Sequence, residues 1–348
     1  MRLIRGLGVC AVAAMLTLAG CSNSAPQQSG TDAGGGGGAA AGGGADKGGG
    51  DNAGGDKGGT AKADLTVAVV THGQAGDAFW DIVKSGADQA GKDENVKVTY
   101  NGDGDPGRQS QLIDNAVASK VDGLVVSMAN PDGVKDSVRQ AVKAGIPVVT
   151  MNSGLEKYKE FGAVTHVGQS EELAGEAAGR KLSEAGVKKV LCVVHEAGNV
   201  GLESRCNGVR KTLGGTVRNL QVDVSNVADA QNTIKAQLLA DKSVDGVLTL
   251  NPVIAKAAVS ARQEAGSKAK LATFDVSADI CAAIARGDML FAVDQQPYLQ
   301  GYLPVVFVAL KIRNGNDVGG GQPVYSGPGF VTKDNAEQVR KFAERGTR

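Results

Sequence analysis

This sequence of 348 residues has no surplus of charge of either sign and few aromatic side chains. Its 37 Lys and Arg residues are matched by 37 Asp and Glu residues, so the formal net charge at pH 7 is zero. Nucleic-acid binding needs surplus positive charge to neutralise phosphates, and the balance therefore argues against a nucleic-acid partner. Aromatic residues make up 4% of the chain and there is one tryptophan, Trp80. An aromatic side chain in a predicted loop is therefore a candidate for ligand contact.

Long apolar runs are also absent, since no stretch approaches the roughly eighteen unbroken apolar residues of a membrane-spanning helix. The apolar run at 7–18 follows two arginines, which is the order of a secretory signal. It ends in Leu18-Ala19-Gly20-Cys21, which resembles a bacterial lipobox and implies cleavage before Cys21 and lipidation of that cysteine. A plain signal peptide that happens to contain Cys21 is the alternative. We predict a lipoprotein signal peptide at 1–20 and a mature protein held at the membrane by lipid.

Glycine is abundant, with 51 residues, and it is concentrated between positions 30 and 59. Residues 22–62 are mostly Gly, Ala, Ser, Asp and Lys, and they offer almost no apolar surface to offset the entropy lost on ordering. We predict that 21–63 is the lipidated cysteine followed by a disordered tether. A Gly-rich chain of about 42 residues reaches about 35 Å.

Cysteine is scarce, with five residues, and three remain once Cys10 is removed with the signal and Cys21 is lipidated. Export would place Cys192, Cys206 and Cys281 in an oxidising compartment. Cys192 lies in an apolar strand-like run and Cys206 in the predicted helix after it. A bridge between them would close a loop of about 15 residues and contribute roughly 3 kcal/mol. The alternative is three small buried side chains, and no role is assigned to Cys281.

From residue 64 onward the sequence alternates short β-branched runs with Ala/Lys/Glu-rich stretches of helical periodicity. Predicted strands occupy 65–70, 96–100, 123–127, 147–151, 189–194, 220–224, 246–250, 270–274 and 290–293. Predicted helices occupy 79–89, 109–119, 133–143, 173–185, 202–213, 230–240, 254–265 and 278–285. Such alternation indicates an α/β protein with parallel sheets covered by helices on both faces. Nine strands are many for one sheet, and the alternation breaks at a strand-like run at 164–167, so we predict a crossing to a second sheet near Gly168.

Polar side chains follow the predicted strands, where doubly wound sheets bind ligands. They are found at 71–80, Asn130, Asn152-Ser153, His195-Glu196, Arg205, Asn251, Asp275 and 294–297. This set is rich in amides and carboxylates, carries one guanidinium, and lacks a paired nucleophile and base. It suits a ligand with many neutral hydroxyls, because each hydroxyl both donates and accepts a hydrogen bond.

Several short motifs in order resemble the type I periplasmic sugar-binding proteins, the ribose- and galactose-binding group that serves ABC importers. The motifs are Asp77-Ala-Phe-Trp80, 122–127 leading to Asn130-Pro131, 145–149 leading to Asn152, Arg205-x-x-Gly208, Asn251, Phe274-Asp275 and Gln295-x-Pro297. The resemblance covers nearly everything after Asp64. It implies that the sugar cleft is lined by Asp77, Phe79, Trp80, Asn130, Asn152, Arg205, Asn251, Asp275 and Gln295.

The same resemblance implies two doubly wound parallel-sheet lobes joined by a three-strand hinge. One lobe would comprise 64–168 and 297–326, the other 169–296 and 327–348, with hinge strands at Gly168, 295–297 and near Gly327. The chain departs from the pattern at Asn152-Ser153, where ribose binders carry Asp-Arg, and at Asp77, where Asn is usual. The lineage therefore implies a sugar, a polyol or a related small polar molecule, without favouring ribose.

The expected function is that of an extracytoplasmic lipoprotein, a monomer without a cofactor, that captures a sugar or polyol for an ABC permease. An exported carbohydrate-active enzyme using Asp77, His195 or Asp275 is one alternative, although amide-rich surroundings would deprive it of a general acid. A chemoreceptor ligand carrier is another. No metal site is predicted, because His195-Glu196 lacks the second histidine of a helical zinc site.

Structural roles compete with ligand binding at four positions. Trp80 could belong to the core of the first helix, and Arg205 could pair with Glu203. Asp275 could cap the helix that begins near Ser277, since Asp is favoured there. For His195 we expect a structural role.

Overall fold

The computed structural model of the chain describes residues 64–74 and 76–348. The predicted signal peptide, Cys21 and the predicted tether lie outside the described residues. Within those residues, no helix is both long and apolar enough to cross a membrane.

Two six-stranded sheets form the framework, and each is the centre of one lobe. The first sheet has the order β11-β5-β4-β3-β1-β2 and is parallel throughout. Its lobe contains β1 Leu65–Thr71, α1 Ala78–Asp93, β2 Val96–Gly102, α2 Pro106–Ala118, β3 Gly123–Ser127, α3 Pro131–Lys143, β4 Val148–Asn152, β5 Thr165–Gly168, α9 Pro297–Asn314, a 3₁₀ turn at Val318–Gly321 and β11 Val324–Tyr325.

The second sheet has the order β12-β10-β9-β8-β6-β7 and is parallel except for β12, which runs antiparallel to β10. Its lobe contains α4 Glu171–Glu184, β6 Lys189–Val194, α5 Val200–Thr212, β7 Thr216–Gln221, α6 Val227–Ala240, β8 Gly246–Thr249, α7 Pro252–Glu264, β9 Lys270–Phe274, α8 Ala278–Arg286, β10 Ala292–Asp294, β12 Gly329–Val331 and α10 Ala336–Ala343. The predicted fold class, two parallel-sheet lobes, is confirmed.

The chain passes between the two sheets three times, after β5, after β10 and after β11. Apolar residues of the central strands are fully buried and form separate cores on the two faces of each sheet. Burial on both faces explains why these strands appear in the sequence as continuous Val/Leu/Ile runs rather than as alternating ones. Cys192 on β6 and Cys206 on α5 form a disulfide inside one core of the second lobe, and Cys281 is buried with a free thiol.

Several features of the secondary structure differ from the prediction, among them β11, β12 and α10, which were not predicted. The strand predicted at 220–224 is wrong, because β7 spans Thr216–Gln221, an edge strand whose outward residues are exposed and polar. The 18-residue α9 was not predicted. It carries an internal Pro304 and has buried residues along most of its length, so its sequence lacks the polar face of an ordinary surface helix.

Candidate ligand-binding site

A pocket lies between the lobes, where loops after β1 and β4 face loops after β6, β8, β9 and β10. The first lobe contributes His72, Asp77, Phe79, Trp80, Asn152 and Ser153, and the rest of the lining is His195, Glu196, Asn199, Leu202, Arg205, Leu250, Asn251, Asp275 and Gln295. The structure thus brings together eight of the nine residues predicted for the sugar cleft. All of these loops follow the carboxyl ends of strands, which is where parallel sheets place ligands.

Asn130 is the ninth predicted residue, and it does not line this pocket. It is the N-cap of α3, and its side-chain oxygen accepts a hydrogen bond from the Gly133 N–H at 3.0 Å. Asn130 lines a neighbouring interlobe cavity of about 530 Å³, which shares His72, His195, Glu196 and Asn199 with the pocket. The Asn130 amide oxygen, which was predicted to contact ligand, is used in capping the helix.

The pocket encloses only about 30 Å³, which is room for one or two water molecules. The lobes are held together directly by the Val200 N–H, which donates to the Ala129 carbonyl oxygen at 3.0 Å. Entry of a sugar-sized ligand therefore requires the lobes to move apart, and closure around the ligand restores the contact between them. The three chain crossings between the lobes are the segments about which such a hinge motion would occur.

Left-handed backbone conformations are concentrated beside the pocket. Asn152, Asp275 and Gln296 have φ values of 62°, 66° and 58°; Asn152 ends β4, Asp275 directly follows β9, and Gln296 lies two residues after β10. Residues other than glycine adopt such values at a cost of about 1–3 kcal/mol, and such residues cluster at functional sites. The backbone strain thus coincides with the three strand ends that carry Asn152, Asp275 and Gln295.

An amide network connects these strand ends. Asn152 Nδ2 donates to Gln295 Oε1 at 3.1 Å and to Gln300 Oε1 at 3.0 Å, and Gln295 Nε2 donates to Asp275 Oδ1 at 2.6 Å. Gln300 lies on α9 and is fully buried. Sequence reasoning missed it because α9 itself was not predicted.

Arg205 is fixed by contacts on several sides. Its Nε donates to Glu171 Oε2 at 2.6 Å and its Nη2 to Glu171 Oε1 at 3.2 Å, while Nη1 donates to the Leu250 carbonyl at 3.4 Å. The guanidinium carbon lies 4.5 Å from the centre of the Phe274 ring. The alternative pairing with Glu203 is wrong, because Glu171 is the partner and it precedes Arg205 by 34 residues.

Two carboxylates of the pocket have perturbed acidity. Burial raises the pKa of Asp275 to about 7 and also raises the pKa of Asp77. Asp77 Oδ1 accepts the Phe79 N–H at 2.9 Å and caps α1, so this residue both ends a loop and faces the pocket. Ser277, not Asp275, caps α8, so the capping alternative for Asp275 is wrong.

Two buried histidines, one from each lobe, lie near one carboxylate of the second lobe. His72 Nε2 lies 4.0 Å from Glu196 Oε2, and His195 Nε2 lies 3.8 Å from Glu196 Oε1. Burial lowers the pKa of His72, and it lowers the pKa of His195 to about 4. His195 lines the pocket, and its structural role stays a prediction. Among the described residues no cluster of His, Cys, Asp and Glu could hold a metal ion.

Trp80 belongs both to the core and to the pocket wall. It is 6% exposed, packs in the core of the first lobe and meets the Phe79 ring edge-on at 5.1 Å between centroids. Gly73 passes so close to the indole that a Cβ there would lie 2.2 Å from Trp80 Cγ. The backbone of the β1–α1 loop therefore packs on the ring and fixes its orientation.

Comparison with known proteins shows which family this architecture is typical of. The model of the periplasmic binding protein domain matches residues 67–316. The ribose import binding protein of Haemophilus influenzae is 27% identical over 71% of this chain and 85% of its own length. The xylose/arabinose-binding protein of Sulfolobus acidocaldarius is 22% identical over 65% of this chain, and the match spans 60% of that protein.

A solved structure is more similar in sequence. The carbohydrate transporter from Acidothermus cellulolyticus, determined in complex with myo-inositol, is 46% identical and has a TM-score of 0.80. The match covers 82% of this chain and 99% of that one. These relatives are sugar-binding proteins of transport systems and not enzymes, which confirms the expectation of a binding protein.

Proposed function

This chain belongs to the family of periplasmic binding protein domains, the sugar-binding components of ABC transporters, and we propose that it captures a cyclic polyol or sugar between its lobes. The observation that carries the proposal is the convergence of amides, carboxylates, one guanidinium and an indole from both lobes on a single pocket. Such groups match a ring with apolar C–H faces and hydroxyls around its edge.

We propose myo-inositol as the first ligand to test. The relative at 46% identity was solved with that cyclitol. Ser153 lines the pocket at the position where ribose binders of the family carry arginine, which leaves Arg205 as the one guanidinium among the described lining residues. A ring bearing only hydroxyls needs acceptors as much as donors, and Asp77, Asp275 and Asn152 supply them.

The proposed roles divide between the face and the edge of the ring. Trp80, supported by Phe79, packs on one face of the ligand. Its edge hydroxyls are bound by Asp77, Asn152, Arg205, Asn251, Asp275 and Gln295. The amide network that joins Asn152, Gln295 and Gln300 fixes the donors and acceptors before the ligand arrives, which reduces the entropy lost on binding.

The location and partners follow from the family and from the N-terminal sequence. The periplasmic binding domain places the chain outside the cytoplasm. We propose that Cys21 is lipidated, that the glycine-rich segment tethers the two lobes to the cell membrane, and that the closed, ligand-bound monomer delivers its ligand to an ABC permease.

Isothermal titration calorimetry with myo-inositol, xylitol, D-ribose and D-galactose tests the proposed ligand class. We expect saturable binding of myo-inositol that is lost in Asp275→Asn and retained in Asp279→Asn, because Asp279 is an exposed carboxylate of the adjacent α8. Mass spectrometry of the ligand after incubation should show it unchanged. Absence of binding by every polyol and sugar, in protein with a cooperative thermal transition, would contradict the proposal.

A further inference from the structure

Glu171 lies behind the pocket and does not line it. It is the first residue of α4, directly after the chain crosses from β5 into the second lobe, and it is 4% exposed. A buried carboxylate is costly unless it is paired and hydrogen-bonded. Glu171 meets that requirement with Arg205, and Gln169 Nε2 in the crossing segment donates to the same Oε2 at 2.9 Å.

The pairing depends on an unusually close approach of α4 and α5. A Cβ on Gly175 would lie 2.1 Å from the Arg205 carbonyl oxygen, and a Cβ on Gly208 would lie 2.2 Å from the Glu172 carbonyl oxygen. The two helices therefore contact each other through backbone at these glycines. This contact places the Arg205 side chain within reach of a carboxylate on the neighbouring helix.

The hydrogen bonds of Arg205 define what it can offer a ligand. A guanidinium has five N–H groups. One on Nε and one on Nη2 are used by Glu171, and one on Nη1 is used by the Leu250 carbonyl. The other N–H of each terminal nitrogen remains for the pocket that Arg205 lines.

The charges around Arg205 define which ligands the pocket accepts. Glu171 balances the positive charge of Arg205 in a fully buried pair. Asp77, Glu196 and Asp275 line the same pocket, and among the described lining residues no second arginine or lysine opposes them. At pH 8 the pocket therefore carries excess negative charge, which repels an anionic ligand.

We infer that Glu171 is a positioning residue. It fixes the Arg205 guanidinium as a hydrogen-bond donor to uncharged ligands and balances its charge, so that the pocket selects uncharged polyols over their anionic derivatives. The inference rests on the proposed function. An unpaired arginine in the same place would attract carboxylates and phosphates by bidentate hydrogen bonds. Paired with Glu171, it contributes two directed N–H groups and no net charge.

A ligand-binding titration of the wild-type protein at pH 8 is the first test. The ligands are myo-inositol, an uncharged O-methyl ether of inositol as a control for size, and myo-inositol 1-phosphate. We expect the phosphate to bind at least roughly 100-fold more weakly than the ether, because a low-dielectric pocket enhances charge repulsion. Binding of the phosphate within tenfold of the ether overturns the inference. Binding of none of the three contradicts the proposed function instead.

Glu171→Gln is the second test, with Glu172→Gln as its matched control. Glu172 is the next residue of α4, is half exposed and pairs with Lys211 at the surface. We expect Glu171→Gln to reduce the ratio of ether affinity to phosphate affinity by roughly tenfold or more, because the substitution leaves the positive charge of Arg205 unbalanced. Glu172→Gln should leave the ratio unchanged. An unchanged ratio in folded Glu171→Gln overturns the inference.

Glu171→Asp covers the case in which Glu171→Gln does not fold. It keeps the charge and shortens the side chain by one methylene, so the geometry of Arg205 changes while the balance of charge does not. We expect weaker binding of myo-inositol with rejection of the phosphate retained. Retained wild-type affinity for myo-inositol would show that Glu171 does not position Arg205.

Discussion

The backbone N–H of Val200 donates a hydrogen bond to the carbonyl oxygen of Ala129 at 3.0 Å, and these two residues belong to different lobes. Val200 is the first residue of α5, and Ala129 lies in the loop between β3 and α3. The bond joins main chain to main chain, so it forms whatever side chains line the pocket. It stabilises the arrangement in which the lobes are together.

Val200→Pro should remove this bond while preserving α5. Proline is favoured at the first position of a helix, and Asn199 before it already has an extended backbone with ψ of 106°. Loss of one hydrogen bond of about 1 kcal/mol predicts ligand binding about fivefold weaker. Calorimetry checks the affinity, and Val200→Ala, which keeps the N–H, is the control. Equal affinities for the two variants would show that the bond does not favour closure.

Arg205→Lys should weaken ligand binding by roughly tenfold or more, because an ammonium cannot reproduce the planar fork that Glu171 and the ligand share. Thermal unfolding should also shift downward, since the buried Glu171 carboxylate loses one of the two hydrogen bonds that Arg205 donates to it. Arg210→Lys on the same helix is the control, because Arg210 is exposed. Calorimetry with several polyols should show a changed ranking for Arg205→Lys alone.

Asp275→Asn should change the pH dependence of stability. Burial raises the pKa of Asp275 to about 7 in the folded protein, above its ordinary value of 3.8. The stability associated with the neutral carboxyl is therefore present below pH 3.8 and is lost as pH rises toward 7. The free energy of unfolding of Asp275→Asn, taken relative to that of the wild type, should therefore increase as the pH is raised from 4 to 8. Denaturant unfolding at the two pH values measures the difference, and an equal difference at both would contradict the assigned pKa.

The disulfide should be detectable by peptide mapping of unreduced protein. Cys192 and Cys206 should be found in one linked peptide pair, and Cys281 should be alkylated only after unfolding, because burial raises the pKa of its thiol to about 11. The double variant Cys192→Ala and Cys206→Ala should be less stable by about 3 kcal/mol, the value for a loop of that length. Alkylation of Cys192 in unreduced, unfolded protein would show that the bridge is absent.

Cys21→Ala should release the protein from membranes without altering its affinity for ligand. The expected lipid supplies the only strong membrane attachment that the sequence predicts. Fractionation of cells that express the full chain measures the release, and calorimetry on the released protein measures the affinity. Persistent membrane association of Cys21→Ala would mean that lipidation is not the anchor.

The sequence by itself determined the α/β class and most residues of the pocket. Buried parallel strands such as β3 and β6 are continuous apolar runs, and the polar residues that follow them lie at the sheet edges where ligands bind. Asp77, Trp80, Asn152 and Asp275 could therefore be placed from their position after a strand alone. This reasoning needs only local pattern and the geometry of parallel sheets.

Tertiary structure decided which polar groups face each other. The partner of Arg205 is Glu171, 34 residues earlier, and this pairing depends on the close packing of α4 on α5 at two glycines. Asn130 is occupied by a helix cap, and Gln300 enters the network from a helix that the pattern did not reveal. Hydrogen bonds between distant residues depend on the packing of whole elements, and local sequence periodicity does not encode that packing.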